Sequence, residues 1–438
     1  MLNKSVLGTI MRVISVGINF LFGIVYANLF GAADFGTFVF LQSIATIVTA
    51  VITFGLPTLL TRELASYGGS IVEDSPRALA FIVVVQLAVI SVLVGAIIFY
   101  GLLFGAVYAD NTSVVLVSAL IFANSVLAFV AATFIGRMRV LQASVITDLL
   151  RPTIALLCLL ASFGLAVGGA NQGMVAHVVA GGILVIILGG PLVAEFIQAR
   201  DAWLLPEFWR LVTNFLAQST KIALAAISIT LSAQIDILVI KMFEAPDSVA
   251  HYFAAARLAI FVSFFFGIYG MYAEPVIVRL LRTNEYEATQ RSIWFATIVG
   301  FSVAVASGLG IIGVGNWFLG LYGASFQTAY TTLIILVVGQ ILWTSFGPAQ
   351  MAMRAAYLDT LVVKSLAMAL VVNLAVTFLL VPLMGIAGAA VGTSLQFFIA
   401  GLLMSRSMFK HAGIRTTIWN VEVWRQGLRQ VQETLHKV

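Results

Sequence analysis

Twelve long apolar segments, separated by short polar ones, run along the chain, at roughly 10–29, 37–60, 78–101, 114–135, 149–167, 174–194, 222–242, 251–273, 292–314, 329–350, 362–381 and 388–408. Each is near the ~20 residues that a helix needs to cross a bilayer core of about 30 Å. The pattern predicts an all-α polytopic membrane protein with twelve transmembrane helices. Each segment is bounded by Lys or Arg at one end only. If the N-terminus is cytoplasmic, 21 of the 23 basic residues fall on inward-facing termini, loops and helix ends, among them Arg62, Arg137, Arg151, Arg210, Arg279 and Lys364. The outward connections (30–36, 102–113, 168–173, 243–250, 315–328, 382–387) hold no Lys or Arg but do hold Asp34, Asp110, Glu244 and Asp247. Short loops are where the positive-inside rule is reliable. Both termini are therefore expected in the cytoplasm and the chain in the cytoplasmic (inner) membrane. The first segment is too long for a signal-peptide core and reads as a retained helix. Lys241 and Arg257 alone break the charge pattern.

The two halves repeat with an offset of 211–214 residues. Phe30, Ala32, Asp34 and Phe40 recur as Phe243, Ala245, Asp247 and Phe253, Phe134 and Gly136 answer Phe346 and Gly347, and Asp148 answers Asp359. Six crossings per half insert both halves the same way up, which predicts two six-helix bundles related by a pseudo-twofold axis along the membrane normal, around a central cavity. The bundles are expected at 1–197 and 222–409. A cytoplasmic linker, 198–221, carries Pro206, Trp203, Phe208 and Trp209. In the tail, 410–438, Trp424, Leu428, Val431 and Leu435 share one helical face, as in a helix lying on the membrane surface.

Composition narrows the function. With 61% hydrophobic and 9% charged residues, the chain is built for a bilayer. Its net charge of +5 lies along the inward rims, facing lipid headgroups, so no nucleic-acid partner is expected. A single cysteine, Cys158, excludes an intramolecular disulfide. The four histidines lack metal-ligand spacing and no phosphate-binding loop is present. No polar stretch is large enough for a catalytic domain, so no catalytic residue, metal or cofactor is expected. A membrane glycosyltransferase or ligase would need a sizeable outward loop, and none exceeds about a dozen residues. What remains is the body of a secondary transporter or channel.

Charged residues inside the membrane carry the chemistry. Asp236 lies about six residues, roughly 9 Å, below the outer end of the seventh segment, and Arg257 a similar distance below the outer end of the eighth. The short connection between them makes these helices antiparallel neighbours, so the two groups share a depth. An ionised group there costs ~2.5–3.5 kcal/mol or more unless paired or hydrated. Two readings of Arg257 are open. It pairs with Asp236 and pins two helices, or it lines the cavity and binds phosphate, for which a planar, permanently charged guanidinium is suited. Lys241 is placed to snorkel to the outer rim. Asp236 is either an ion-pair partner or a carrier of H⁺ or Na⁺. Asn19, Gln42, Gln340 and Asn373 are candidates to bond sugar hydroxyls or to tie helices together. Pro57 and Pro348, near Gly55 and Gly347, are candidate kinks that would let the halves rock.

Several motifs are familiar. They are Gln234-Ile235-Asp236 through Ile240, then His251-Tyr252 and Glu274-Pro275; Leu29-Phe30-Gly31 with Asp34-Phe35-Gly36; Leu321-Tyr322-Gly323 with Phe326; and Gly385-Ile386 with Gly388-Ala389-Ala390. Together these make the chain resemble, over essentially its whole length, the polysaccharide-type lipid flippases of the multidrug/oligosaccharidyl-lipid/polysaccharide exporter superfamily. The resemblance implies export of lipid-pyrophosphate-linked oligosaccharides for O-antigen, capsule or exopolysaccharide, beside a polymerase and glycosyltransferases. One departure stands out. The family usually has Arg in Ala-Arg-x-Leu-Gly, whereas this chain has Ala27-Asn28-Leu29-Phe30-Gly31. The position 213 residues after Asn28 is Lys241, so a cation persists in the second half. An ion-coupled multidrug exporter of the same superfamily is the alternative. It would use carboxylates to bind cationic compounds, whereas the deep charges here are balanced or positive.

Overall fold

The computed structural model describes residues 2–69, 74–104, 111–161, 169–283 and 285–419, and among them there is no strand. The chain divides into two compact units, 1–234 and 235–438. The first begins with α1 (Leu2–Ile52), two helical arms broken at Gly31 (φ 85°, ψ 169°). Only glycine adopts that conformation without strain, and an added Cβ would meet nothing within 4 Å, so the requirement comes from the backbone alone. The arms fold back on one another: the ring of Phe38 lies 5.8 Å from Phe22 and 5.1 Å from Tyr26.

The turn Thr53–Gly55 leads into α2 (Leu56–Ser66), followed by α3 (Asp74–Phe104) and α4 (Asn111–Gly136). The fifth crossing is composite, with α5 (Val140–Ser144), a π-helical turn (Val145–Leu150) and α6 (Arg151–Ala161). Pro152 explains the wide turn. It has no N–H, and its ring would collide with the carbonyl of Asp148 in a regular helix. Then comes α7 (Gly169–Gln198). A short 3-10 stretch, Arg200–Leu204, leads into α8 (Phe208–Phe243), so the second half of the expected linker is already helical. The division between units falls within α8. Its first turns pack on the turn after α1, where Ser219 Oγ donates to the carbonyl of Phe54 and Ile222 and Ala223 crowd Gly55.

The second unit continues with α9 (Pro246–Arg282), α10 (Tyr286–Tyr322), a 3-10 stretch Ala324–Ala329, α11 (Tyr330–Ser345), α12 (Ala349–Ala355), α13 (Asp359–Met384) and α14 (Ile386–Ala412). Ten helical stretches among the described residues are long and apolar enough to cross a membrane. One of them, Val13–Ile52, contains the break at Gly31 and crosses twice, and the 37-residue α9 adds another. These are the twelve crossings that the hydrophobic pattern predicts. The repeat is visible in the elements too: α4 and α11 both stop at the matched Gly136 and Gly347 before a short helix, then two long crossings follow.

Past α14 the chain turns at Gly413 (φ 67°) and runs as an extended strap. Ile414, Thr416 and Ile418 are buried in it, while Arg415 and Trp419 face outward. The strap is pinned by a two-way pairing of the Gln290 carboxamide with the Arg415 main chain (2.6 and 2.8 Å) and by Ile418 N–H donating to Ser345 O (2.9 Å). The start of the expected tail is thus a strap and not a helix, because its polar backbone finds partners on α10 and α11. The expected surface helix around Trp424 lies outside the described residues.

Candidate functional site

Asp236 sits late in α8, 5% exposed, and its carboxylate is enclosed by three helices of its own unit. Tyr252 on α9 donates to Oδ2 at 2.8 Å and Thr393 on α14 donates to the same oxygen at 2.7 Å. Asn373 on α13 donates to Oδ1 at 3.0 Å. A further layer fixes Asn373. Its second N–H goes to Gln396 Oε1 (2.7 Å), and its own oxygen accepts from Thr377 (2.7 Å). Thr393 Oγ1 also lies 3.1 Å from Ala389 O and 2.9 Å from the Tyr252 hydroxyl. Every partner of the carboxylate is neutral.

The packing that brings these groups together depends on small residues at four-residue spacing on α14. A Cβ at Gly392 would overlap Thr377 Oγ1 and lie 2.6 Å from Asn373 Oδ1, and one at Gly388 would lie 2.5 Å from the backbone of Leu380. Backbones that approach this closely let short side chains bond across helices, as small-residue faces do in membranes.

Arg257 does not pair with Asp236. It lies on the exposed face of α9, eleven residues and so roughly 16 Å from the helix start at Pro246, with its guanidinium 4.6 Å from the centre of the Phe253 ring. Tyr252, one turn earlier, meets Asp236 instead. Of the two readings left open, the fixed ion pair is therefore overturned: the carboxylate faces inward to α13 and α14, and the guanidinium faces away from it. Lys241, one helical turn beyond Asp236, is partly exposed.

The other candidates are dispersed. Asn19 and Asn28 are exposed and each bonds its own helix, to Ser15 O (2.9 Å) and Ile24 O (2.8 Å). Gln42 is partly buried, Gln340 is buried, and neither bonds to the Asp236 cluster. Asn373 proves to be a helix-tying residue whose tie is to Asp236. Pro57 and Pro348 do not kink continuous helices. Pro57 opens α2 and Pro348 caps α12, each after a helix that has already stopped at a positive-φ glycine, Gly55 (φ 71°) or Gly347 (φ 64°).

Arg151 reaches deeper than the charge pattern alone implies. It lies eleven residues past Val140, where the helical run of its crossing begins, and so roughly 16 Å from that end. Its guanidinium donates to Asn124 Oδ1, near the middle of α4, and its Nε is buried without a hydrogen-bond partner. His177, within electrostatic reach of it, bonds Gly173 O (3.0 Å) and packs edge-on against Phe22 at 4.8 Å.

A family model described as polysaccharide biosynthesis protein matches residues 1–281. The chain belongs to that family. The match covers Arg151, Asp236, Lys241 and Arg257, while the partners of Asp236 on α13 and α14 lie beyond it. A search of curated protein sequences gives no match. Among solved structures, the lipid II flippase MurJ in an inward closed conformation superposes with a TM-score of 0.72 at 13% identity, over 92% of this chain and 87% of that one. An inward-facing multidrug resistance MATE family transporter of the MOP superfamily gives 0.67 at 13% identity, over 90% and 96%. A MOP superfamily transporter from Pyrococcus furiosus, described as having a binding pocket of reversed polarity, gives 0.61 at 13%, over 92% and 93%. At such identities the likeness establishes the fold. Sequence reasoning missed Tyr252 and Thr393 as partners of Asp236, and Thr377 and Gln396 as the groups that fix Asn373. The available signal was the Gly388/Gly392 spacing, which marks the face of α14 able to approach α13.

Proposed function

We propose that the protein is a flippase that moves lipid-pyrophosphate-linked oligosaccharides from the cytoplasmic to the outer leaflet, with the binding of H⁺ or Na⁺ at Asp236 coupled to alternating access. The observation that carries this reading is the exposed Arg257, roughly 16 Å from the start of α9, resting on an aromatic ring and forming no ion pair among the described residues. A cation kept there at a cost of a few kcal/mol is matched to an anionic substrate. Family membership and the fold shared with a lipid flippase support the same substrate class. The carboxylate of Asp236, by contrast, is sealed by neutral groups and is not offered to a bulky cationic drug.

A buried carboxylate with no countercharge is a natural seat for a small cation. The oxygens of Asp236, Asn373, Thr377 and Thr393, with Ala389 O, form a donor set of the hard-oxygen kind that Na⁺ takes. For a proton, the network offers a simple rearrangement. A protonated Oδ2 donates to Thr393 Oγ1, and the Thr393 hydroxyl turns to Ala389 O, 3.1 Å away. Protonation thus reverses the Thr393–Asp236 hydrogen bond, and a bound cation replaces it with coordination, so either event alters the tie between α14 and α8. Residence in the inner membrane with cytoplasmic termini, and work beside a polymerase and glycosyltransferases, complete the proposal.

The test is depletion in the native host, followed by an assay of which leaflet holds the lipid-linked oligosaccharide. The expected result is intact, inward-facing units that clear on re-expression of the wild type but not of Arg257→Ala. Normal outward display, with no other flippase covering the loss, would reject the flippase and favour the multidrug reading.

A further inference from the structure

The strap after α14 closes one wall of a cavity of about 660 Å³ that the transport reading leaves without a role. Phe346, Phe398 and Leu402 form its apolar walls, Arg406 and Arg415 flank it, and Trp419 stands at its rim. Among the described residues, no acidic one lines it. The stretch from Arg406 to Arg415 includes Lys410 and His411 and contains no acid either. Arg406 is exposed and forms no ion pair among the described residues, and Arg415 lies 5.3 Å from the centre of the Phe409 ring. Phe409 and Trp419 are themselves exposed, at 51% and 62%.

Position decides what such a cavity meets. The crossing Ile386–Ala412 ends here, so the cavity lies where a membrane span reaches the headgroup layer. A soluble anion would be held by charge alone and would have no use for three apolar walls and an exposed aromatic rim. A lipid uses both halves: two guanidinium groups match a phosphate, and the aromatic and leucine side chains match acyl chain. Basic pockets between helices at this level are the usual form of a headgroup site.

We propose that this cavity binds an anionic phospholipid of the adjoining leaflet, with its phosphate between Arg406 and Arg415 and its acyl chain against Phe346, Phe398 and Leu402. The proposal rests on the membrane fold and is independent of the substrate assigned above. It has a mechanical consequence. Phe346 belongs to the break between α11 and α12, and Arg415 to the strap that bonds across that break. The lipid therefore bridges the strap, α14 and the break, and occupancy stiffens the place where the second unit interrupts a crossing.

Native mass spectrometry of the full chain tests this after equilibration with vesicles of phosphatidylcholine alone or with added phosphatidylglycerol. The wild type is expected to retain one phosphatidylglycerol more than the Arg406→Gln/Arg415→Gln double variant, whose occupancy falls about tenfold or more through loss of two charge-assisted contacts. Leu402→Trp, which fills the cavity and keeps both arginines, is expected to show the same loss and serves if the glutamine variant does not fold. Equal retention by wild type and variants overturns the proposal, as does equal retention of phosphatidylcholine. So does displacement by inorganic phosphate, which would mark a soluble-anion site, or a wild type that holds no lipid because the segment beyond Trp419 fills the cavity.

Discussion

At the scale of single residues, the protein keeps its membrane charges apart. Asp236 is enclosed by neutral donors, Arg257 rests on an aromatic ring, and Arg151 bonds a carboxamide. Asp236→Asn keeps the shape of the side chain and removes the seat for a cation. Flipping assayed in vesicles with an imposed H⁺ or Na⁺ gradient is expected to lose its gradient dependence, and unchanged dependence would remove Asp236 from coupling. Tyr252→Phe removes one donor to the carboxylate, so a stability loss of about 1.5–3 kcal/mol is expected, the range for hydrogen bonds to charged groups. Arg151 differs in bonding a single carboxamide side chain, so both members of the pair can be replaced together. Arg151→Met alone leaves Asn124 Oδ1 unsatisfied and is expected to lower stability by about 1–3 kcal/mol. Adding Asn124→Leu replaces both polar partners by apolar ones, and thermal unfolding in detergent is expected to return most of the loss. A double variant as unstable as the single one would show that Arg151 holds more than Asn124.

At the scale of elements, two glycines separate two kinds of constraint. Gly31 has a positive φ but open space around it, whereas Gly392 is helical and has no space at all. Gly31→Ala is expected to cost about 1–3 kcal/mol of backbone strain and leave ion dependence intact. Gly392→Ala pushes α13 from α14, and an overpacking cost of about 1–3 kcal/mol is expected together with loss of ion dependence, because Asn373 and Thr377 move off Asp236. Unfolding midpoints and gradient-driven flipping, measured on both variants, check the pair; matching flipping phenotypes would refute the distinction. The helices themselves were legible in the sequence, since a run of apolar residues near bilayer length with charges at one end admits few other structures. The interruptions were not. The turn at Thr53–Gly55 is satisfied by Gln86 and Ser219, and the break after Ser345 by Ile418, all distant in sequence. An apolar window cannot distinguish a continuous helix from one whose loose ends are capped from elsewhere.

At the scale of the whole molecule, the charge pattern orients crossings but does not measure depth. The partners of Asp236 on α13 and α14 lie 137 and 157 residues from it in sequence, so only the tertiary fold could name them. Arg151 shows the other limit. Counted by its distance from the apolar window it belongs to the inward rim, but its guanidinium reaches Asn124, near the middle of α4, so the charge ends deeper than the window implies. A labelling experiment separates these placements and tests the orientation as well. Cys158 is the one natural cysteine, so Cys158→Ala gives a clean background. Ala33→Cys and Ala245→Cys, at exposed outward turns, are expected to react with an impermeant maleimide in intact cells. Ser66→Cys and Thr283→Cys are expected to react only after the membrane is opened. Arg151→Cys discriminates the two placements of its crossing. A rim residue would react as readily as Ser66→Cys once the membrane is opened, whereas a residue packed toward Asn124 within the helices should react much more slowly from either side. Rapid labelling in opened membranes would return Arg151 to the rim and leave Arg257 and Lys241 as the cations facing the substrate.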